Sequence, residues 1–326
     1  MTAERASIFT GVQIGVETSG SAAANKKLNS LSFKPAVKAE IATFRPMGTK
    51  YPTMTALGKE WVVSPFEGVL TFSEAIYPLA SVCDGGSVQS LGGSPAAYRW
   101  YFGSDSDGPD TPKTFTVEQG DSTRAHRFSN GLVTGLSFDF SRSEVKISGD
   151  MIGKALADDI TMTATPTAIE LVPVLPTQVS VYLDNTSGSL GGTLMTRALT
   201  VSWALTDRFG PLWTLNAAEA SFATQVETEP KPTVKLKSEA DAVGMALLTT
   251  MRAGSTKFMR ILAEGAVISG SNKYTLQIDS ALQVTNVSEF SDEDGVFAIE
   301  WEFAIVYDAT WGKAFYIQVV NKQSAL

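Results

Sequence analysis

From Val296 to Tyr307 the chain alternates at every residue. Phe297, Ile299, Trp301, Phe303, Ile305 and Tyr307 occupy one set of positions, and Ala298, Glu300, Glu302 and Ala304 the other. Successive side chains of a strand point to opposite faces, so this period of two predicts a long strand with one apolar and one acidic face. A helix, with its period of 3.6, does not produce that split. The constraint doubles because the stretch has an earlier echo. Glu144–Ala155, EVKISGDMIGKA, ends in D-x-x-G-K-A, and Asp308–Ala314 returns as D-x-x-x-G-K-A, one residue longer. Whatever this chain folds into must accommodate the same design twice.

Further matches follow in the same order. Val12–Ser21 resembles Val179–Ser189, and Leu31-Ser-Phe33 matches Leu199-Thr-Val201. At one constant offset Glu60 meets Glu227, Pro65 meets Pro232, Thr71 meets Ser238 and Glu74 meets Asp241. A repeat this long predicts a duplicated domain, not a solenoid. Thr71 and Glu74 form a capping-box pattern that predicts a helix through Val82, with Ile76, Leu79 and Val82 inward and Pro78 distorting it. Ser238 and Asp241 repeat the pattern before a helix to Met251, with Val243, Leu247, Leu248 and Met251 as its apolar stripe. Strands are expected at Tyr98–Phe102 and Lys113–Gln119. Leu136, Phe138 and Phe140 alternate with polar residues, as do Val145 and Ile147, and together they read as a hairpin. The glycine-rich Asp84–Pro95 reads as a loop. The expectation is a mainly β chain of two tandem antiparallel domains, 1–163 and 179–326, joined by a linker over 164–178.

Ala36–Trp61 is poorly patterned yet not polar enough for simple disorder. It carries Phe44, Arg45 and Tyr51, and its counterpart in the second half has Arg208, Phe209 and Trp213 at its tip. A structureless segment this long inside a compact domain is uncommon and tends to be functional. An arm that packs on another subunit is preferred here to a meandering surface loop.

Composition removes several function classes. The 326 residues are 44% hydrophobic and only 18% charged, with a net charge of −8. That balance supports a packed core and disfavours tight wrapping on nucleic acid, which needs clustered Lys and Arg. Cys83 is the only cysteine, so an internal disulfide or a cysteine-built zinc site is impossible. No basic stretch followed by an apolar one opens the chain, and no run reaches the length of a membrane span, so folding in a reducing cytosol is expected. His126 is the only histidine and lies in Asp121–Arg127, a charged loop before a strand that supplies neither partner nor pocket for a general base, so it is expected to be an exposed loop residue. Asp105, Asp107 and Asp110 only loosely resemble a calcium loop, and Ser291–Gly295 reads as a turn. Gly85–Ser94 lacks the lysine of a phosphate loop. Glu300 and Glu302 stand about 7 Å apart on one strand face, and an extended acidic sheet face that also includes Asp139 and Asp279 explains them better than a glycosidase pair. No catalysis, cofactor or metal is expected.

Seven stretches carry a wider resemblance: GVQIGVETSGS at Gly11–Ser21, LSFKPAVKAEIATFRPMG at Leu31–Gly48, KTFTVEQGD at Lys113–Asp121, GLVTG at Gly131–Gly135, ATPTAIELVPVLPTQV at Ala164–Val179, FSDEDGVFAIEW at Phe290–Trp301 and VYDATWGKA at Val306–Ala314. The chain resembles the tail tube proteins of long-tailed (siphovirus-type) bacteriophages, of the kind with a duplicated tube domain. None of these stretches is a chemical motif; the likeness rests on their extent and order. The resemblance implies two tandem antiparallel β-sandwiches with barrel-forming sheets, each with one flanking helix and a long arm. It implies rings whose sheets join edge to edge, stacked into a tube that conducts the genome. Two domains per chain imply trimeric, pseudo-hexameric rings. Phe44, Arg45, Tyr51, Arg208, Phe209 and Trp213 would then make contacts between rings. Asp139, Lys146, Asp279, Glu300 and Glu302 would face the lumen, where like charge keeps passing double-stranded DNA from sticking; Lys146 and Arg142 make that face mixed. The implied partners are the protein itself and the tape measure, tail terminator and baseplate proteins, with no membrane. The implied location is the virion tail, after assembly in the host cytoplasm. A baseplate hub or distal tail ring protein is the alternative, and a carbohydrate-binding β-sandwich the less favoured one.

Overall fold

In the computed structural model the alternating stretches do become long strands, and the chain is mainly β. The structure describes residues 7–104, 106–216, 218–293 and 295–326. The acidic-turn positions Asp105 and Asp294, and the side chain of Val243, lie outside the described residues.

The first half contains β1 Gly11–Val16, β2 Lys26–Leu28, β3 Leu31–Phe33, β4 Ala36–Phe44 and β5 Met54–Val69. The helix α1 Ile76–Val82 and strands β6 Ser87–Gly92, β7 Ala97–Phe102 and β8 Phe115–Gly120 come next. Then come β9 Ala125–Ser141, β10 Val145–Gly153 and β11 Ala157–Ile160. After the short β12 Thr167–Ala168, the second half has β13 Val179–Asp184, β14 Ala198–Thr206, β15 Phe209–Leu212, β16 Thr224–Glu227 and β17 Lys231–Glu239. Two short helices, α2 Ala242–Met245 and α3 Leu247–Ala253, precede β18 Lys257–Ser269 and β19 Asn272–Val287. The last strands are β20 Ser291–Glu293, β21 Val296–Ile305 and β22 Phe315–Asn321.

One sheet of the first half runs β3-β5-β10-β9, all antiparallel. The order recurs in the second half as β14-β17-β21-β19. The two are a single surface, because β14 pairs with β9 from Thr200↔Ser141 to Leu205↔Leu136. The N-terminal parts of β9 and β19 leave this surface for others. There β9 pairs with β8 and β11, and β19 with β18 and β22. Each long strand thus serves two sheets.

Buried side chains fill the space beneath the shared surface. Phe138 of β9 lies 5.8 Å from Trp203 of β14, and Trp203 lies 5.5 Å edge-on from Phe315 of β22, ring centre to ring centre. Every residue of α1 is buried. Its expected capping box is half made: Glu74 N–H donates to Thr71 Oγ1 at 3.1 Å. The Glu74 carboxylate instead accepts from the backbone N–H groups of Asn29 (2.6 Å) and Ser30 (3.0 Å), holding the turn between β2 and β3. In the second half Asp241 Oδ1 accepts from Gly244 N–H at 2.8 Å, and the expected single helix is split into α2 and α3.

Other expectations are corrected. Pro65 is exposed between buried Ser64 and Phe66, whereas Pro232 is in phase with buried Val234 and Leu236. The constant offset therefore misses by one residue in these strands, and one residue exchanges the faces. The glycine-rich Asp84–Pro95 is not simply a loop, since β6 pairs with β7, and β7 pairs with β22 of the second half. Phe297 is 76% exposed and stacks edge-on with Phe290 at 6.4 Å, because it lies at the hairpin end beyond the core that covers Ile299, Trp301 and Phe303.

Candidate functional site

Two features stand out: the outward face of the shared sheet, and the two arms. On the sheet, cross-strand registers place Lys146, Asp139, Ser202, Lys235 and Glu302 in one row across β10, β9, β14, β17 and β21. A second row runs Ser141, Thr200, Lys237, Glu300. Opposite charges directly across strands attract. Lys235 Nζ is 2.7 Å from Glu302 Oε1, and the Lys235 hydrogen bond holds the Glu302 carboxyl below its usual pKa. Asn286 Nδ2 donates to the other Glu302 oxygen at 3.1 Å. Lys146 pairs with Glu144 at 2.5 Å, and Lys34 pairs with Glu67. The face, expected to be acidic but mixed by Lys146 and Arg142, is a lattice of opposite charges.

Asp139, Lys146, Glu300 and Glu302 share this face. Asp279 does not. It lies in the N-terminal part of β19, opposite Arg260 of β18 and Tyr316 of β22, and is 4% exposed. Arg260 donates to it twice, from Nε at 2.7 Å and Nη2 at 2.8 Å. The sequence placed Asp139 and Asp279 on comparable strands, which holds. However, Asp139 follows the point where its strand joins the shared sheet, and Asp279 precedes it.

The first arm is a hairpin, not a loop without pattern: β4 pairs with β5 from Ala36↔Val63 to Phe44↔Met54. All nine residues of β4 are exposed. With neither face covered, no alternation is needed, which is why the segment has no period to read. Phe44 is 49% and Tyr51 69% exposed, with Arg45 at the turn between them.

The second arm behaves differently. It bends at Asp207, whose φ of 56° is left-handed, and β15 and β16 fold back on the first half. Arg208 is 1% exposed and Phe209 6%. Arg208 donates from Nε to Val82 O at 3.0 Å and from Nη1 to Glu227 Oε1 at 2.7 Å, and pairs through Nη2 with buried Asp110. Its backbone N–H reaches Thr134 O at 3.1 Å. The expectation that Arg208 and Phe209 face another ring is thus corrected, since both are used inside the chain. Trp213 is likewise engaged internally, edge-on to Trp61 (5.5 Å) and Phe222 (6.1 Å), with Lys59 Nζ 5.1 Å from its ring. Arg208 binds Asp110, 98 residues away, and no local pattern announces such a partner.

Elsewhere the chemistry is sparse. His126, expected in an exposed loop, instead lies within β9 and is partly buried; desolvation lowers its pKa, and Nε2 has no hydrogen-bond partner. Cys83 is buried, which pushes its thiol up to about 12. Among the described residues no three His, Cys, Asp or Glu side chains gather in a metal-binding group, and no helix is long and apolar enough to cross a membrane.

No model of a known protein family matches the chain. A search of curated proteins likewise returns no match.

Proposed function

We propose that this protein is a tail tube subunit of a long-tailed bacteriophage, built from two tandem tube domains. The observation that carries the reading is the seam between β9 and β14. There, two sheets of the same strand order join edge to edge inside one chain. The same join is available at both ends of the surface. Among the described residues, Gln283–Val287 pairs on one side only, with β21, and β3 pairs only with β5. Open edges are a liability that closure into a barrel removes. Three chains meeting at these edges form a pseudo-hexameric ring, and rings stack into a tube. The paired charges of the outward face then line the lumen, where lysines already held by carboxylates attract DNA phosphate weakly. The partners are further copies of the chain and the tape measure, terminator and baseplate proteins, in the virion tail.

Electron microscopy of the purified protein tests this. Rings and tubes are expected on raising the concentration. Persistent monomers under all assembly conditions would sink the proposal, and single rings that never stack would favour a distal tail ring or hub.

A further inference from the structure

The second arm sits on the first half at a defined place. Glu60 N–H donates to Ala220 O at 3.0 Å, and Ser221 Oγ donates to Glu60 O at 2.7 Å. Ala155 N–H donates to Ser221 Oγ at 2.9 Å, and Lys154 Nζ is 3.7 Å from Glu219. The seat is thus the start of the β5 core segment together with the G-K-A segment that follows β10.

The repeat gives each piece a counterpart in the second half. With the one-residue shift between β5 and β17, Thr228 matches Glu60, and Lys313-Ala314 matches Lys154-Ala155. In the structure, Thr228 and Ala314 line one open groove of about 860 Å³, together with Glu227, Glu229, Ile305 and Tyr307. The arm that corresponds to the seated one is the β4–β5 hairpin. It projects with Val37, Ile41, Met54 and Leu57 each about half exposed or more. Its turn carries Arg45 and Lys50, while Asp107, Glu227 and Glu229 border the groove. Arg208 also borders it, with its charge already matched by Asp110 and Glu227. The hairpin runs along the strand direction, and its own chain's groove lies five strands across, about 24 Å at the usual strand spacing. A second copy has no such mismatch. If its β3 edge adjoins Gln283–Val287 as β14 adjoins β9, its first arm begins beside this groove.

We infer that the groove is the seat for the first arm of a neighbouring copy in the same ring. The contact joins copies side by side, not ring to ring. The inference rests on the ring assembly proposed above and adds which surface receives the arm.

The test is site-directed cross-linking. Leu57→Cys and Tyr307→Cys proteins, each checked for folding by circular dichroism, are mixed in equal amounts, assembled and treated with a short bismaleimide. Single rings are separated from stacked tubes first, and buried Cys83 serves as the unreactive background. A mixed dimer in single rings is the expected result. A mixed dimer only in stacked tubes, or rings with no mixed dimer at all, overturns this inference while leaving the tube assignment in place. Absence of rings from the wild-type protein overturns both. As a second reading, Glu229→Lys should raise the concentration needed for ring formation severalfold, and an unchanged concentration counts against the seat.

Discussion

Arg208 anchors the second arm to the first half, at Val82 O and at Asp110. Its guanidinium is fully buried against Asp110, whose side chain is equally buried. Removing one partner of such a pair strands the other charge without water, so Arg208→Ala should cost about 3–5 kcal/mol, read as a lower denaturant midpoint. Arg208→Lys should recover only part of this, because one ammonium cannot reproduce the three-way fork to Val82, Glu227 and Asp110. His126 makes a different prediction. Burial lowers its folded pKa, while the unfolded chain takes up the proton near about 6.5. Between those values the unfolded state binds more protons, so stability falls as pH drops. The denaturation midpoint should decline from about pH 7.5 to about pH 5.5 in the wild type, and less steeply in His126→Asn. An equal slope in both proteins would assign the decline to other groups.

Among elements, the regular strands were the legible part. Ile299, Trp301 and Phe303 show the period of two because one face is covered and the other is not. The hairpin β4–β5 escaped that reading since water reaches both its faces. Asp279 escaped it because β19 changes sheets partway along, and alternation alone does not say where. The pairing of β7 with β22 joins segments more than two hundred residues apart, beyond any local pattern. Glycines mark where strands cross too closely for a side chain. A Cβ at Gly68 would lie 2.0 Å from Ser30 O, so Gly68→Ala should push β3 off β5 and cost about 1–3 kcal/mol in thermal or chemical denaturation. The arm predicts the reverse. Replacing 45–53 with a two-residue Asn-Gly turn should leave the melting temperature near that of the wild type while suppressing ring formation in sedimentation. A destabilised monomer would show instead that the hairpin supports its own chain's core.

At the scale of the whole molecule, the seam is the decisive contact. Trp203→Ala removes the ring that bridges Phe138 and Phe315, and a loss of about 3–5 kcal/mol is expected in a single unfolding transition shared by both halves. Two separate transitions would mean that the halves fold independently. The outward face is tested by charge. Glu300→Lys with Glu302→Lys should leave the strands intact and turn a balanced lattice positive. Assembled tubes should then retain added double-stranded DNA in a filter assay, with retention lost as salt rises.

The seam between β9 and β14 also sets the bookkeeping of closure. Because one polypeptide carries both edges, that joint forms at any dilution, its two sides held at a high effective concentration by the chain itself. In the proposed ring, only the remaining joints would depend on how many copies are present. A closed ring of such chains would alternate tethered and untethered joints, so it would come apart in pairs of domains and never singly. It would also free the two kinds of joint to diverge, letting one be tuned for permanence and the other for timing.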